Sequence, residues 1–254
     1  MKFLIFNGSL KGDGESNTFK VCKMLQTAFN MLGHECDLVT LRDLDYEGST
    51  DDVNDELKPH IMKMLDMDGV IFATPIWWGT HSCHIQAILE RLDFIYSWSK
   101  DNKFQPFYNK VFGTLVSGGG DGFQHIHGVL YSAAANFGFT IPPQCNIESR
   151  AQGTDNIVKD DDTYEQVKNC ATNMTVWAQI LRENKPILKA RHGSVDVNES
   201  SMGMNKYGMS AKHLQGKFYA YKDGKMTGGP FHSIDELSKH QQEILDKMDN
   251  KDED

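Results

Sequence analysis

The chain is poor in cysteine and proline and has no long apolar run. Its five cysteines, Cys22, Cys36, Cys83, Cys145 and Cys170, are odd in number and show no CxxC spacing. Neither a disulfide framework nor a tetrahedral zinc site is indicated, and reduced thiols are expected. No stretch approaches the ~18 apolar residues of a membrane-spanning helix. Met1-Lys2-Phe3-Leu4-Ile5-Phe6 is too short and too quickly polar for a signal peptide, so a buried first strand and a cytoplasmic location are expected. Positive charge is also scarce. Lys and Arg number 26 against 35 Asp and Glu, and the end Asp249–Asp254 is acidic. A net charge of −9 argues against bulk nucleic acid and anionic membranes as partners. No internal repeat or low-complexity linker interrupts the 254 residues, which suffice for one large domain or a domain with an appendage.

What is present is an alternation of apolar strands and amphipathic helices. Phe3–Phe6 is followed by a helical pattern over Phe19–Leu32 that stops at Gly33, then by a strand over Glu35–Leu41. An amphipathic segment around Glu56–Asp66 precedes the continuous apolar run Gly69–Thr74, the pattern of a strand covered on both faces. A helix from about Ser82 to Trp98, a fourth strand over Lys110–Val116, a helix to about Phe137, a strand near Phe139–Pro142 and a closing helix over roughly Thr163–Glu183 complete the series. Parallel crossovers each need a helix, so this order predicts an α/β, doubly wound, five-stranded parallel sheet. Ligands are expected beyond the carboxyl ends of its strands. Past residue 185 the periodicity fades: a long loop is expected through Met209, a small hairpin at Lys217–Lys225 and a polar helix over Ile234–Met248. Residues 1–184 are therefore expected to form one domain and 185–254 a C-terminal extension packed on it or on a partner subunit.

Three loops carry the chemistry. After strand one, Asn7-Gly8-Ser9-Leu10-Lys11-Gly12-Asp13-Gly14-Glu15-Ser16-Asn17-Thr18 breaks with glycines and opens a helix. Exposed amides, the helix dipole and the hydroxyls would suit a phosphate, with Lys11 adding charge at the rim. The simpler alternative is an ordinary strand-to-helix turn with Ser16 as N-cap. The second loop is Pro75-Ile76-Trp77-Trp78-Gly79-Thr80, and the third is Ser117-Gly118-Gly119-Gly120-Asp121-Gly122. Adjacent Trp77 and Trp78 cannot both point inward from an extended segment, so one faces a pocket or a partner.

These loops, in this order, resemble the flavodoxin-like NAD(P)H-dependent FMN oxidoreductases, including the flavin domain of iron–sulfur flavoproteins and related quinone reductases. Asn7-Gly8-Ser9-Leu10-Lys11 with Ser16-Asn17-Thr18 stands where that family has Asn-Gly-Ser-Pro-Arg and a Gly/Ser/Asn/Thr stretch, Lys11 replacing the arginine. Pro75–Gly79 followed by Ala87-Ile88-Leu89-Glu90-Arg91 matches its Pro-Ile-Tyr-Trp-Gly and Ala-hydrophobic-Asp/Glu-Arg pattern. The resemblance covers about residues 1–184 and implies a flavodoxin-like sheet in the order 2-1-3-4-5. It implies FMN, with Ser9, Lys11, Ser16, Asn17 and Thr18 at the phosphate. Pro75, Ile76, Trp77, Trp78 and Gly79 would then lie along the isoalloxazine, and Ser117, Gly118, Gly119 and Gly120 at its pyrimidine side. It further implies NAD(P)H as electron donor, a quinone-like or other small acceptor, and a homodimer or homotetramer. The cysteines of the iron–sulfur members are missing, so no cluster is expected. A flavodoxin-type electron carrier that binds FMN without using NAD(P)H is the alternative, and a regulatory module binding another phosphate is a third class.

Other side chains carry weaker signals. His81, Cys83 and His84 make a poor metal set from one helix start and more simply cap the helix or flank the flavin. Asp121 either caps the helix beside it or orients a substrate, capping being the simpler reading. His125 and His127, two apart on a helix, face different ways. Met202, Met204 and Met209 pack or form a lid, and no spacing rule selects Arg191, Lys206 or Lys212 as phosphate partners.

Overall fold

The computed structural model describes residues 1–12, 14–48, 54–96, 106–151, 153–157, 159–183, 201–202, 209–214, 217–222 and 225–249. Strands β1 (Lys2–Asn7), β2 (Glu35–Thr40), β3 (Gly69–Pro75), β4 (Val111–Ser117) and β5 (Asn146–Ser149) form one sheet in the order 2-1-3-4-5, every pairing parallel. The connecting helices are α1 (Asn17–Met31), α2 (Leu57–Lys63), α3 (Cys83–Arg91), α4 (Phe123–Asn136), α5 (Thr154–Ile157) and α6 (Asp161–Glu183). This is the doubly wound parallel sheet expected from the alternation, in the flavodoxin-like order that the resemblance implied.

Two apolar layers hold the helices on. Alternate side chains of a strand point to opposite faces, so Leu4 and Phe6 join Ile61, Ile85, Ile88, Ile126 and Leu130 on the α2–α4 face. Phe3 and Ile5 join Val21, Leu25, Phe29, Val167 and Met174 on the α1–α6 face. The Phe3 and Phe29 rings stack with centroids 4.0 Å apart. Burying both faces is what made β1, β3 and β4 continuously apolar rather than alternating.

Three expectations need correction. The fifth strand is Asn146–Ser149, not Phe139–Pro142. Thr140 touches the sheet as a single parallel bridge to Val111, and the chain then meets Pro142 and Pro143, which lack the N–H that a ladder needs. Helix α4 begins at Gly122 without a side-chain cap, so Asp121 does not cap it. The stretch expected as a loop through Met209 contains strand β6 (Ser201–Met202), paired with β7 (Met209–Leu214). Arg191, Met204, Lys206 and the end of the expected helix to Trp98 lie outside the described residues.

β6 and β7 continue into β8 (Lys217–Lys222) and β9 (Lys225–Phe231), an antiparallel sheet in chain order, followed by α7 (Ile234–Asp249). The expected hairpin corresponds to β8 and β9, and the expected polar helix to α7. Phe218, Ala220 and Leu237 are buried in the same cluster as the α2–α4 face. No helix among the described residues is long and apolar enough to cross a membrane.

Candidate functional site

All three chemistry-bearing loops leave the carboxyl ends of β1, β3 and β4, which are neighbours in the sheet. The first is pinned to β3 by the Gly8 N–H, which donates to the Ala73 carbonyl at 2.8 Å. A Cβ at Gly8 would stand 2.7 Å from both Ile85 Cγ1 and Ser82 Oγ, so only glycine lets the loop lie this close to α3. Beyond it, the Ser9 N–H donates to Asn7 Oδ1 at 3.1 Å and the Lys11 N–H to Ser9 Oγ at 3.2 Å. Ser16 Oγ donates to Ser9 Oγ at 2.6 Å and accepts the Phe19 N–H at 3.0 Å, which makes Ser16 the N-cap of α1. The N-cap and anion-site readings are thus compatible: the same hydroxyl caps the helix and joins the cradle.

The loops are tied to one another as well as to the sheet. Thr18 Oγ1, in the first turn of α1, shares a 2.7 Å hydrogen bond with Ser117 Oγ at the end of β4. The Ile76 N–H donates to the Ser117 carbonyl at 2.9 Å, and the Gly118 N–H to the Ser149 carbonyl at 3.0 Å. Trp77 and Thr80 exchange two backbone hydrogen bonds across a two-residue turn in which Trp78 has φ 51° and Gly79 φ 80°. Positive φ at both central positions is the mirror-image hairpin turn, which favours glycine at the second. Gly122 (φ +123°) completes the contact: a Cβ there would lie 2.8 Å from Gly79 Cα, so the second and third loops touch through two glycines.

The result is one open cleft of about 210 Å³. Ser9, Leu10, Lys11, Ser16, Asn17 and Thr18 line it from the first loop and α1, Pro75, Ile76 and Trp77 from the second loop, and Ser117, Gly118 and Gly119 from the third. Three candidates fall elsewhere. Trp78 sits at the turn tip with its side chain fully exposed, because positive φ swings it away from Trp77. Gly79 supports the turn from behind and Gly120 is exposed beyond the rim. Leu10 was missed in the sequence, since an apolar residue inside a polar loop carries no chemical signal.

Polarity is graded along the cleft. Ser9, Ser16, Thr18 and Ser117 are at most 3% exposed, and their hydroxyls bond in two pairs, Ser16 with Ser9 and Thr18 with Ser117, so only the Thr18–Ser117 pair keeps a proton uncommitted and an anion would draw the others from their present partners. The N–H groups of Asn17 and Thr18 have no intrahelical acceptor by the geometry of a first turn. At the other end Pro75, Ile76 and Trp77 offer an apolar wall. Behind the third loop, His127 Nδ1 bonds Thr114 Oγ1 at 2.7 Å, and Arg150 pairs with Glu148 at 2.8 Å while its guanidinium lies 4.3 Å over the Phe123 ring. His84 bonds the Tyr46 hydroxyl, and His81 bonds Gln86 at 2.8 Å. Burial lowers the His84 pKa and raises that of Tyr46 to about 12. Among the described residues no group of three or more His, Cys, Asp or Glu is arranged to hold a metal ion.

A five-stranded parallel sheet in the order 2-1-3-4-5, with buried hydroxyls and a helix N-terminus gathered at the 2-1-3 junction, defines a protein of the flavodoxin-like fold. Residues 1–152 match the NADPH-dependent FMN reductase family, and the chain belongs to that family. It is 29% identical over 156 residues to the 8-demethyl-8-aminoriboflavin-5'-phosphate synthase of Streptomyces davaonensis, covering 56% of this chain and 61% of that one. The chain thus spans less than two thirds of this curated relative. A crystal structure of RosB with bound 8-demethyl-8-formylriboflavin-5'-phosphate superposes with TM-score 0.65 at 25% identity, over 72% of this chain and 81% of that one. An NADH:FMN oxidoreductase in apo form shares the fold, with TM-score 0.55 and 18% identity over 69% and 88% of the two chains.

Proposed function

We propose that the chain is an FMN-dependent oxidoreductase that takes electrons from NADPH or NADH and passes them to a quinone-like or other small acceptor. The observation that carries this reading is the cleft itself, where buried hydroxyls at one end and a flat apolar wall at the other match the two ends of a flavin 5'-phosphate. FMN, when bound, supplies the electron transfer; the protein's residues hold and tune it. Ser9, Ser16 and Thr18, with the first-turn amides of Asn17 and Thr18, would take the phosphate, and Lys11 would balance its charge from the rim. Lysine pairs as a point charge where arginine would grip bidentately, so the phosphate's orientation rests on the hydroxyls and amides.

Pro75, Ile76 and Trp77 would lie along the ring and keep water from that side. Gly118 spends its N–H on Ser149, so the amide of Gly119 would be the one to face the ring's pyrimidine edge, where a donor favours negative charge on reduction. Trp78, fully exposed beside the cleft, supports a second subunit or the acceptor closing over the site.

The likeness to RosB supports a second reading in which the flavin phosphate is the substrate. Both readings fill the same cleft and separate in one experiment. Purified protein loaded with FMN is mixed anaerobically with NADPH, its visible spectrum followed, then air admitted and the flavin's mass measured. Bleaching followed by recovery of FMN of unchanged mass is expected. A changed flavin mass favours the second reading, a persistent oxidised spectrum favours a flavodoxin-type carrier, and failure to take up FMN overturns the site.

A further inference from the structure

A second cavity, of about 610 Å³, runs between α1 and α6 and shares no lining residue with the cleft. On α1 it extends from Lys20 to Met31 and Leu32, about 17 Å at the rise of a helix. Small residues keep it open. Ala28 of α1 and Ala171 of α6 line it, beside the buried Val167, where larger side chains would fill the space. Met24 and Met31 add unbranched, adaptable walls. Met31 is 83% exposed, and Leu32 and Tyr164 are exposed as well, so folding leaves an uncovered apolar trough on this side of the molecule.

The charged side chains that line the trough are all lysines, Lys20, Lys23 and Lys168, in a protein of net charge −9. Lys168 pairs with Glu165 at 3.1 Å. Lys23 donates to Gln26 at 2.7 Å, a neutral partner that leaves its charge unbalanced. Lys20 is half-buried, and among the described residues no acid pairs with it. Lys20 and Lys23 stand toward one end of the trough and Met31 and Leu32 at the other, so its polarity is graded along its length. A second copy of the chain is poorly matched to this surface, because a twofold contact would bring the lysines toward their own counterparts with no lining acid to meet them.

We propose that the α1–α6 trough binds one long-chain anionic amphiphile, a fatty carboxylate, with its head group at Lys20 and Lys23 and its chain lying over Ala28 and Ala171 toward Met31. The volume is that of a small-molecule site, which is mainly apolar with a few polar groups fixing orientation. At ~1.5 Å per C–C bond, a zigzag of roughly a dozen carbons covers the distance from the lysines to Met31. The net charge does not oppose an anion here, since charges more than about 8 Å apart are largely screened at physiological ionic strength.

The test is isothermal titration calorimetry of the full chain with dodecanoate below its micelle concentration, beside dodecyltrimethylammonium as the cationic counterpart. One dodecanoate per chain is expected, with the cation at least about tenfold weaker. Decanoate should bind up to about fifteenfold more weakly than dodecanoate, because each buried CH₂ contributes up to about fourfold. Lys20→Met should narrow the preference for the anion by about fivefold and leave the chain-length dependence intact. Ala28→Phe, which fills the trough, should remove binding, with circular dichroism reporting the fold. If Ala28→Phe unfolds the chain, Lys20→Met and the chain-length series decide. Saturating FMN should leave dodecanoate binding unchanged, and failure of FMN to bind would count against the flavin reading alone. Absence of dodecanoate binding, equal binding of the cation, variants that bind like the parent, or displacement by FMN would each overturn the proposal. So would a dimer in sedimentation that Ala28→Phe dissociates and that takes up no dodecanoate, which would assign the trough to a second copy.

Discussion

His127 is buried where a proton would be costly. Its side chain is fixed by the Thr114 hydroxyl, its Nε2 has no hydrogen-bond partner, and the nearest carboxylate oxygen, Glu148 Oε1, is 3.9 Å away. Burial lowers its pKa from 6.5 to about 4, and Glu148 opposes this only in part. The unfolded chain takes up that proton near pH 6.5, whereas the folded one resists until about pH 4. The stabilisation is therefore complete above pH 6.5 and is lost as pH falls toward 4, at up to about 1.4 kcal/mol per pH unit and roughly 3 kcal/mol in all. Urea unfolding at pH 7 and pH 4.5 should show this fall in the parent and a smaller one in His127→Gln, which keeps a hydrogen-bonding side chain. Equal pH dependence in the two would show that His127 is not its source. Burial raises the Cys22 thiol well above its ordinary range and Cys36 to about 12, the hydrogen bond with Cys145 and then burial raise Cys170 well above its own, and only Cys83 is exposed.

At the scale of the element, Arg91 shows how a distant segment supports the site. It ends α3, is 1% exposed, and grips Asp55 with two nitrogens at 2.7 and 3.2 Å and the Glu47 carbonyl at 2.7 Å. Burial alone would raise the Asp55 carboxyl, but Arg91 and the Lys58 amide outweigh it and hold its pKa below the ordinary value. The pair fixes the segment carrying Tyr46 against α3, whose N-terminus follows the second loop. Asp55→Ala should destabilise the chain by about 3–5 kcal/mol in urea unfolding, because it strands a buried guanidinium. A loss under about 1 kcal/mol would mean that water reaches the pair. In the sequence, Arg91 was visible only as part of a resemblance, since its partner lies 36 positions away. The sheet was legible because buried parallel strands must be apolar throughout, and the turn of the first loop into α1 because glycines and an N-cap hydroxyl stand close together in the chain. The fifth strand was misplaced because Phe139-Thr140-Ile141 has the better strand composition, while Asn146–Ser149 is selected by the edge of β4. Composition does not reveal the positive φ that turns Trp78 outward at the tip, and nothing in the sequence marks Gly122 as the residue that meets Gly79.

For the whole molecule, the cleft couples ligand binding to global stability. Its walls come from β1, β3 and β4 and from α1, and these elements bring together both apolar layers. A ligand that bridges them is bound only by the folded chain, so occupancy must appear as added stability. At FMN a hundredfold above its dissociation constant the gain is about 2.7 kcal/mol. For a chain of this size that raises the melting temperature by roughly 5–10 °C. The shift should vanish in Ser16→Glu, which places a carboxylate where the flavin phosphate is proposed to sit, at the capped start of α1. Asn30→Glu, the same added charge on the exposed far end of α1, should keep the full shift even though the electrostatic field of the molecule changes equally. Differential scanning fluorimetry of the three proteins at fixed concentration, with and without FMN, separates the two effects. An undiminished shift in Ser16→Glu would place the flavin somewhere other than the first loop, whatever the spectrum of the bound cofactor.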